Sequence, residues 1–321
     1  MTGKIVVMNP RIDETQKEKI KNIADKYGRI VEFYPSVKEA VPNLEGAEIV
    51  FGNHPALITN APDIKWFCSA SAGIDHYIRA GAFEGRDIIL TNSSGSFGMS
   101  ISEYIIMMSL YMMRRMPEYR QFSDNKEWVL SYLDITTLFG SKVVVLGTGD
   151  LGSTFAKKVQ AFGPASLIGV SKSGQQREPF QKVVDISQLS SVIEDVDLLV
   201  MCLPGTPETE NILSEEIIAK MPKTAYIVNV GRGSAINDEA LIAALEEGRL
   251  AGACLDVLRE EPLPGDSPLW NVKNLIITPH ISGQETTQWT RDNNYNMFCE
   301  DLENYFQGLP LVHLADYTKG Y

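Results

Sequence analysis

The sequence predicts an α/β protein made of two doubly wound parallel sheets. Three observations carry this. Short runs rich in Val and Ile alternate with helical stretches along almost the whole chain. Strands apolar on both faces and separated by helices belong to parallel sheets covered on both sides. The chain has 321 residues, roughly two domains at the usual ~150 each. The alternation breaks once, at a long apolar helix near residue 100, and resumes more regularly from Lys142.

The first series of strands reads Lys4–Asn9, Ile30–Tyr34, Ala47–Gly52, Lys65–Cys68 and Ile88–Thr91, with a polar-periodic helix over 13–27 after the first. Ser100 and Glu103 form a capping-box pattern that opens the long helix, and Pro117 stops it. Its body, Tyr104–Met113, is apolar on nearly every face and so has to be covered all round. A second subunit packing on 101–116 satisfies that, and so does burial between the chain's own domains. The second series places strands at 142–146, 166–170, 197–202, 225–230, 251–256 and 274–278. The helix Asp238–Glu247 closes on Gly248, a good residue for the left-handed turn after a helix. A last helix over about 285–306 carries Tyr295, Phe298, Leu302 and Tyr305, and the tail after it is expected to return to the first domain.

Composition removes several function classes. Hydrophobic residues make up 44% and charged residues 22%, as in ordinary globular proteins. A net charge of −12 repels phosphate backbones, and no basic patch offsets it, so nucleic acid is not an expected partner. No apolar run reaches the ~18 residues of a membrane span, and the first residues have no signal-peptide core. Cys68, Cys202, Cys254 and Cys299 lie far apart without a Cys-x-x-Cys pair, as expected of small apolar residues in the reducing cytoplasm. His54, His76 and His313 show no metal-ligand spacing, so no metal is expected.

The chemistry starts where Val143–Leu146 runs into Gly147-Thr148-Gly149-Asp150-Leu151-Gly152, followed by a helix-compatible stretch. A lone G-x-G-x-x-G is weak, but this one lies between a buried strand and a helix N-terminus. There Gly147 makes the tight turn, Gly149 admits a pyrophosphate to the backbone, and Gly152 lets helix and strand pack. The free N–H groups of the first helical turn, Asp150 and Leu151 included, then hold the phosphates. About 20 residues on, an NAD site carries an acid for the ribose 2′-hydroxyl. Here the strand ends in Ser171-Lys172-Ser173 with no acid. Hydroxyls and an ammonium suit a 2′-phosphate, so NADP(H) is favoured over NAD(H), which stays possible if the turn is indifferent to that phosphate.

Three charged or titratable residues follow strands of the second series: Arg232 after 226–231, Glu261 after 254–257 and His280 after 275–279. Ligands of open α/β sheets bind at the carboxyl ends of strands. An arginine, a carboxylate and an imidazole converging there beside a dinucleotide can hold an anion and move a proton.

Gly147-x-Gly149-x-x-Gly152, Asn229-Val230-Gly231-Arg232-Gly233, Asp256-Val257-x-x-x-Glu261-Pro262-Leu263-Pro264 and Thr278-Pro279-His280-Ile281-Ser282-Gly283 together resemble the D-isomer-specific 2-hydroxyacid dehydrogenases. Ser71-Ala72-Gly73-Ile74-Asp75, Thr91–Gly95 and the ending Ala315-Asp316-Tyr317-x-x-Gly320-Tyr321 extend the likeness over nearly the whole chain. The resemblance implies a Rossmann coenzyme domain over 98–287 inserted into a flavodoxin-like substrate domain of 1–97 plus 288–321. It implies that Arg232 binds the substrate carboxylate and oxo oxygen, that His280 is the acid/base, and that Glu261 orients the imidazole. It also implies that N–H groups near Ala72 and Gly73 clamp the carboxylate, and that Leu203, Pro204, Thr209, Val230 and Asp256 line the coenzyme groove. The expected reaction is reversible reduction of a small 2-oxo acid to a (2R)-hydroxy acid by NAD(P)H. Because the family includes transcriptional co-repressors, the alternative is a dinucleotide-sensing scaffold with little catalysis. The Arg232, Glu261 and His280 set speaks against that, since a scaffold needs no proton shuttle.

Overall fold

The computed structural model describes residues 3–130 and 132–317, so Gly320 and Tyr321 of the terminal motif lie outside the described residues. The chain divides into two compact units, Met1–Phe97 with Glu285–Tyr321, and Gly98–Gln284. In chain order the first unit begins with β1 (Lys4–Met8), α1 (Glu14–Lys26), β2 (Ile30–Tyr34), α2 (Val37–Ala40) and β3 (Ala47–Gly52). It continues with α3 (Ala56–Thr59), β4 (Trp66–Ser69), α4 (Asp75–Arg79) and β5 (Ile89–Thr91). The second unit opens with α5 (Gly98–Met113), α6 (Met116–Asp124), β6 (Lys142–Leu146), α7 (Asp150–Val159), β7 (Ser166–Ser171) and β8 (Lys182–Asp185). It goes on with α8 (Leu189–Val192), β9 (Leu198–Met201), α9 (Glu215–Lys220), β10 (Tyr226–Asn229), α10 (Asp238–Glu246), β11 (Gly252–Leu255) and β12 (Leu275–Ile277). The chain then returns to the first unit as α11 (Gln288–Gln307).

The first sheet has five parallel strands in the order β2-β1-β3-β4-β5, the flavodoxin-like order. Alternation along its strands feeds two cores. Val6, Val50, Phe67 and Leu90 face one side, and Ile5, Val7, Ile49, Phe51 and Trp66 face the other, as the two-residue period of a strand requires. The second side is closed by α1 and by Tyr295, Phe298 and Leu302 of α11. The tail after α11 does come back to this unit: the Ala315 N–H donates to the Leu90 carbonyl at 2.9 Å, and Tyr317 stacks on Phe83.

The second sheet has seven parallel strands in the order β12-β11-β10-β9-β6-β7-β8, the dinucleotide-binding order with one extra strand beyond. Its order reverses between β6 and β9, so the loops after those two strands flank the crevice where such sheets take ligands. α5 packs within this unit against α7 and β10.

Three local expectations need correction. Ser100 and Glu103 make no capping box: α5 already starts at Gly98, so Ser100 lies inside its first turn, and Glu103 pairs with Lys158 at 3.1 Å instead. Pro117 does not stop this helix. α5 ends at Met113, Arg115 adopts a left-handed φ of 57°, and Pro117 lies in the first turn of α6, where a missing N–H costs nothing. β8, absent from the sequence reading, is a four-residue edge strand.

Phe298 is 1% exposed, with its ring 4.9 Å from Phe51 and 5.6 Å from Trp66. Phe298→Ala is expected to lower the unfolding free energy of the first unit by about 3–5 kcal/mol through lost burial and an unfilled cavity. Urea titration followed by tryptophan fluorescence measures this, and an unchanged midpoint contradicts the packing.

Candidate active site

β6 runs directly into the glycine loop, and Gly149 is the N-cap of α7 with no side chain capping it. The N–H groups of the first turn, those of Asp150 and Leu151 among them, therefore point outward without a side-chain acceptor. Gly152 is required by close approach, since a Cβ there would lie 1.9 Å from the Gly147 carbonyl oxygen. A Cβ at Gly149 would meet nothing within 4 Å. The backbone there faces open space, and the loop fits a diphosphate. The Asp150 carboxyl, pushed up by burial, is hydrogen-bonded by the Thr154 hydroxyl, which partly offsets the rise.

At the end of β7, Ser171 Oγ accepts the Gly174 N–H at 3.2 Å and Ser173 Oγ accepts the Gln175 N–H at 3.3 Å. Both serines thus shape the turn. Lys172 is exposed and paired with Glu208 at 3.2 Å, a partner not anticipated from sequence. Sequence reasoning also missed Arg177, whose Nη1 donates to the Thr148 carbonyl at 2.7 Å. It lines a pocket of about 290 Å³ together with Gly149, Asp150, Ser153 and Lys157. The available signal was a second cation in the connection after β7. Leu203, Thr209 and Val230 are buried, and Pro204 is partly so. The Thr209 hydroxyl is engaged within its own turn, 2.7 Å from the Pro204 carbonyl.

The three strand-end residues do converge, since β10, β11 and β12 are neighbours. Arg232 follows β10 in a loop tied by Asn229, whose side chain accepts the Gly231 N–H at 3.0 Å and donates to the Arg232 carbonyl at 2.9 Å. Gly233 then packs so tightly under the next loop that a Cβ would lie 1.9 Å from the Leu258 carbonyl carbon. Arg259 bridges the same two loops, donating to the carbonyls of Ser234 at 3.1 Å and Ile236 at 2.9 Å. Arg259 is not among the site residues read from the sequence, because the Ser234 and Ile236 carbonyls it binds are brought near only by the fold, whereas Asn229 binds backbone of its own loop.

Glu261 accepts the Leu258 N–H at 2.8 Å through one oxygen and meets His280 Nδ1 at 2.8 Å through the other. A carboxylate only accepts, so Nδ1 carries the hydrogen and Nε2 is the working nitrogen. The hydrogen bond to Glu261 and its charge raise the His280 pKa above the ordinary imidazole value, with burial and the Arg232 charge opposing. Burial pushes the Glu261 carboxyl up, but the bonds from His280 and Leu258 and the charges of His280 and Arg232 outweigh it and leave it lowered. The pair is a carboxylate holding a ring that gives up its proton at higher pH than an ordinary imidazole. Asp256 is 1% exposed; its carboxylate accepts from the Thr278 hydroxyl and from the N–H groups of Ile281 and Ser282. It lies beneath the His280 turn.

In the first unit Ala72 and Gly73 follow β4. Their carbonyls are held by the Asn92 amide at 2.8 Å and the Ser71 hydroxyl at 3.0 Å, which fixes the peptide planes of that loop.

Comparison with known proteins gives a consistent picture. Residues 106–282 match the model described as D-isomer specific 2-hydroxyacid dehydrogenase, NAD binding domain. A glyoxylate reductase of Thermofilum pendens is 32% identical over 226 residues, 69% of this chain and 66% of that protein. A glyoxylate/hydroxypyruvate reductase of Arabidopsis thaliana is 28% identical over 272 residues, 83% of this chain and 81% of that one. Among solved structures, a D-isomer specific 2-hydroxyacid dehydrogenase family protein from Aeromonas salmonicida superposes with a TM-score of 0.86 at 32% identity, covering 99% of this chain and 100% of that chain. An NADPH-dependent glyoxylate/hydroxypyruvate reductase of Sinorhizobium meliloti, solved with NADP and sulfate, gives 0.82 at 26% identity and covers 100% of both.

The His280–Glu261 pair makes a prediction that needs no substrate. In NMR titration the His280 ring is expected to lose its proton at higher pH than an ordinary histidine, and Glu261→Gln is expected to move that loss to lower pH. An unshifted titration in the variant contradicts the coupling.

Proposed function

The chain belongs to the D-isomer-specific 2-hydroxyacid dehydrogenases, NAD(P)-dependent oxidoreductases, and from that premise we propose that it reduces small 2-oxo acids of the glyoxylate and hydroxypyruvate type to (2R)-hydroxy acids. The observation that carries this is the His280–Glu261 hydrogen bond at 2.8 Å, beside Arg232 on one sheet edge. The reduced nicotinamide, when bound, supplies the hydride. The protein's own residues do the rest. Arg232 presents a fork of N–H donors suited to the carboxylate and oxo oxygen of a planar 2-oxo acid. His280 Nε2–H delivers the proton to the carbonyl oxygen, and Glu261 holds the ring in place and stabilises its charged form. Ala72 and Gly73 are the proposed backbone donors to the substrate carboxylate. The unit 98–284 is the coenzyme unit in this reading, and the unit containing Ala72 is the substrate unit.

NADP(H) is the proposed preferred coenzyme, with NAD(H) the weaker one. Support comes from the missing acid after β7, from Ser171, Lys172 and Ser173, and from Arg177 in the same connection. The Lys172–Glu208 pair works against it, because a carboxylate competes with the phosphate for that ammonium.

The proposal includes a homodimer through helix 101–116 and the segment that follows it. Much of α5 is buried, and Met99 and Met107 are its exposed large apolar side chains, at 42% and 55%. Trp128, Leu130, Tyr132 and Phe139 follow it at 79–91% exposure. Burial against a second copy removes that surface from water. Sedimentation at micromolar protein is expected to give a dimer, and a 35.6 kDa monomer refutes it.

A coenzyme-oxidation screen over glyoxylate, hydroxypyruvate and branched or aromatic 2-oxo acids, with NADPH and NADH, tests the reaction. The kcat/KM with NADPH is expected to exceed that with NADH by about tenfold at low salt, narrowing as salt screens the contact. Ser171→Asp is expected to reverse the order. His280→Ala is expected to lower kcat by about 10²–10⁴-fold, and Arg232→Ala is expected to damage substrate binding as well as rate. Because reduction needs the imidazolium, its rate is expected to decline as pH rises through the raised His280 value, while oxidation gains over the same range. No oxidation of either coenzyme with any of these acids overturns the proposal.

A further inference from the structure

His280 has a φ of +54°, a backbone region few residues other than glycine adopt and one that costs free energy unless its surroundings enforce it. The enforcement is visible. The His280 N–H is shared between the carbonyls of Asp256 at 2.9 Å and Thr278 at 3.0 Å, and the Gln284 amide donates to the His280 carbonyl at 2.9 Å. Below the turn, the Asp256 carboxylate takes the N–H groups of Ile281 at 2.9 Å and Ser282 at 3.0 Å, and the Thr278 hydroxyl at 2.6 Å. Buried charge-assisted bonds of this kind are strong and directional.

Behind Thr278 stands Tyr104 of α5, 174 residues away in sequence, with its hydroxyl on Thr278 Oγ1 and 3.3 Å from Cys254 Sγ. Proton accounting fixes the direction of the chain. A carboxylate cannot donate, so the Thr278 proton goes to Asp256 and its lone pair receives the Tyr104 proton. Burial raises the Tyr104 phenol above its ordinary value, which keeps that proton in place throughout the working range. The result is a one-way chain, Tyr104 to Thr278 to Asp256 to the backbone of 281–282, ending one residue past the imidazole.

We propose that Tyr104 and Thr278 are positioning residues for the proton donor: through Asp256 they hold the left-handed turn that aims His280. The inference rests on His280 acting as the acid, so it deepens the proposed reaction. Neither residue touches substrate in this reading; their effect passes wholly through the turn. A misplacement of about 1 Å in a reacting group costs on the order of 10²-fold in rate, so small losses of order at 280–282 are enough.

The test uses the full chain with glyoxylate and NADPH. Thr278→Val keeps the shape and removes the donor to Asp256. It is expected to lower kcat by about 10–100-fold and to enlarge the solvent deuterium isotope effect, since proton delivery becomes the slow event. The Kd for NADPH is expected to stay within about twofold, as the loss is confined to the transition state. Thr278→Ser, which retains the hydroxyl, is expected to restore most of the rate. Tyr104→Phe is expected to act in the same direction but more weakly, and the double variant is expected to be no worse than Thr278→Val alone, because the two act in series. Thr278→Val with kcat and isotope effect unchanged overturns the inference, as does strict additivity of the two. If Thr278→Val does not fold, an unchanged kcat and isotope effect in Tyr104→Phe overturns it equally. Failure of the wild type to reduce glyoxylate or any other 2-oxo acid strikes the proposed reaction instead.

Discussion

Parallel pairing is the constraint on which the rest of this structure depends. Every strand of the seven-stranded sheet runs the same way, so every strand delivers its carboxyl end to one edge. The glycine loop after β6, the Ser171 turn after β7, Arg232 after β10, Glu261 after β11 and His280 after β12 lie along one edge of the sheet for that reason alone. None is adjacent in sequence. Buried apolar runs in β6, β9, β10 and β11 anchor these loops, so polar groups can be placed at their tips without weakening the core.

At those tips the chain relies on polar side chains that bind backbone. Asn229 secures the Arg232 loop, Arg259 ties it to the Glu261 loop, Asp256 secures the His280 turn, and Asn92 with Ser71 secures the Ala72–Gly73 loop. Each satisfies peptide groups that a buried loop would otherwise leave unpaired. The loops that carry Arg232 and His280 are thereby fixed by neighbouring side chains. A site built this way is stiff where it is buried and accessible where it reacts.

How much of this was legible in the sequence follows from the range over which each signal acts. Strands announced themselves because β-branched runs such as Val143–Leu146 and Tyr226–Val230 are buried on both faces. The edge strand β8 did not, since Lys182-Val183-Val184-Asp185 is short and has polar ends. The start of α5 was misread because helix at Gly98 depends on a close approach to Thr154 and Asp150, which no local pattern encodes. Arg232, Glu261 and His280 stood out as charges following apolar strands. Tyr104, Thr278 and Arg177 did not, because a tyrosine in an apolar helix reads as packing, and an exposed arginine in a turn reads as solvation. Their partners lie across the fold, and only the topology brings them together.

The discontinuity of the first unit has a consequence for synthesis. Residues 98–284 are contiguous, so the cluster around Val144, Leu146, Leu199, Ile227 and Leu255 is complete as soon as the unit's last strand, β12, leaves the ribosome. The first unit emerges earlier yet stays incomplete. One side of its sheet, with Phe51 and Trp66, waits for Tyr295, Phe298 and Leu302 of α11, and β5 waits for the segment 313–315. The order of maturation is therefore the reverse of the order of emergence. Until α11 emerges the nascent chain carries a bare aromatic face, and docking of that helix is what removes it from the reach of chaperones and of neighbouring nascent chains.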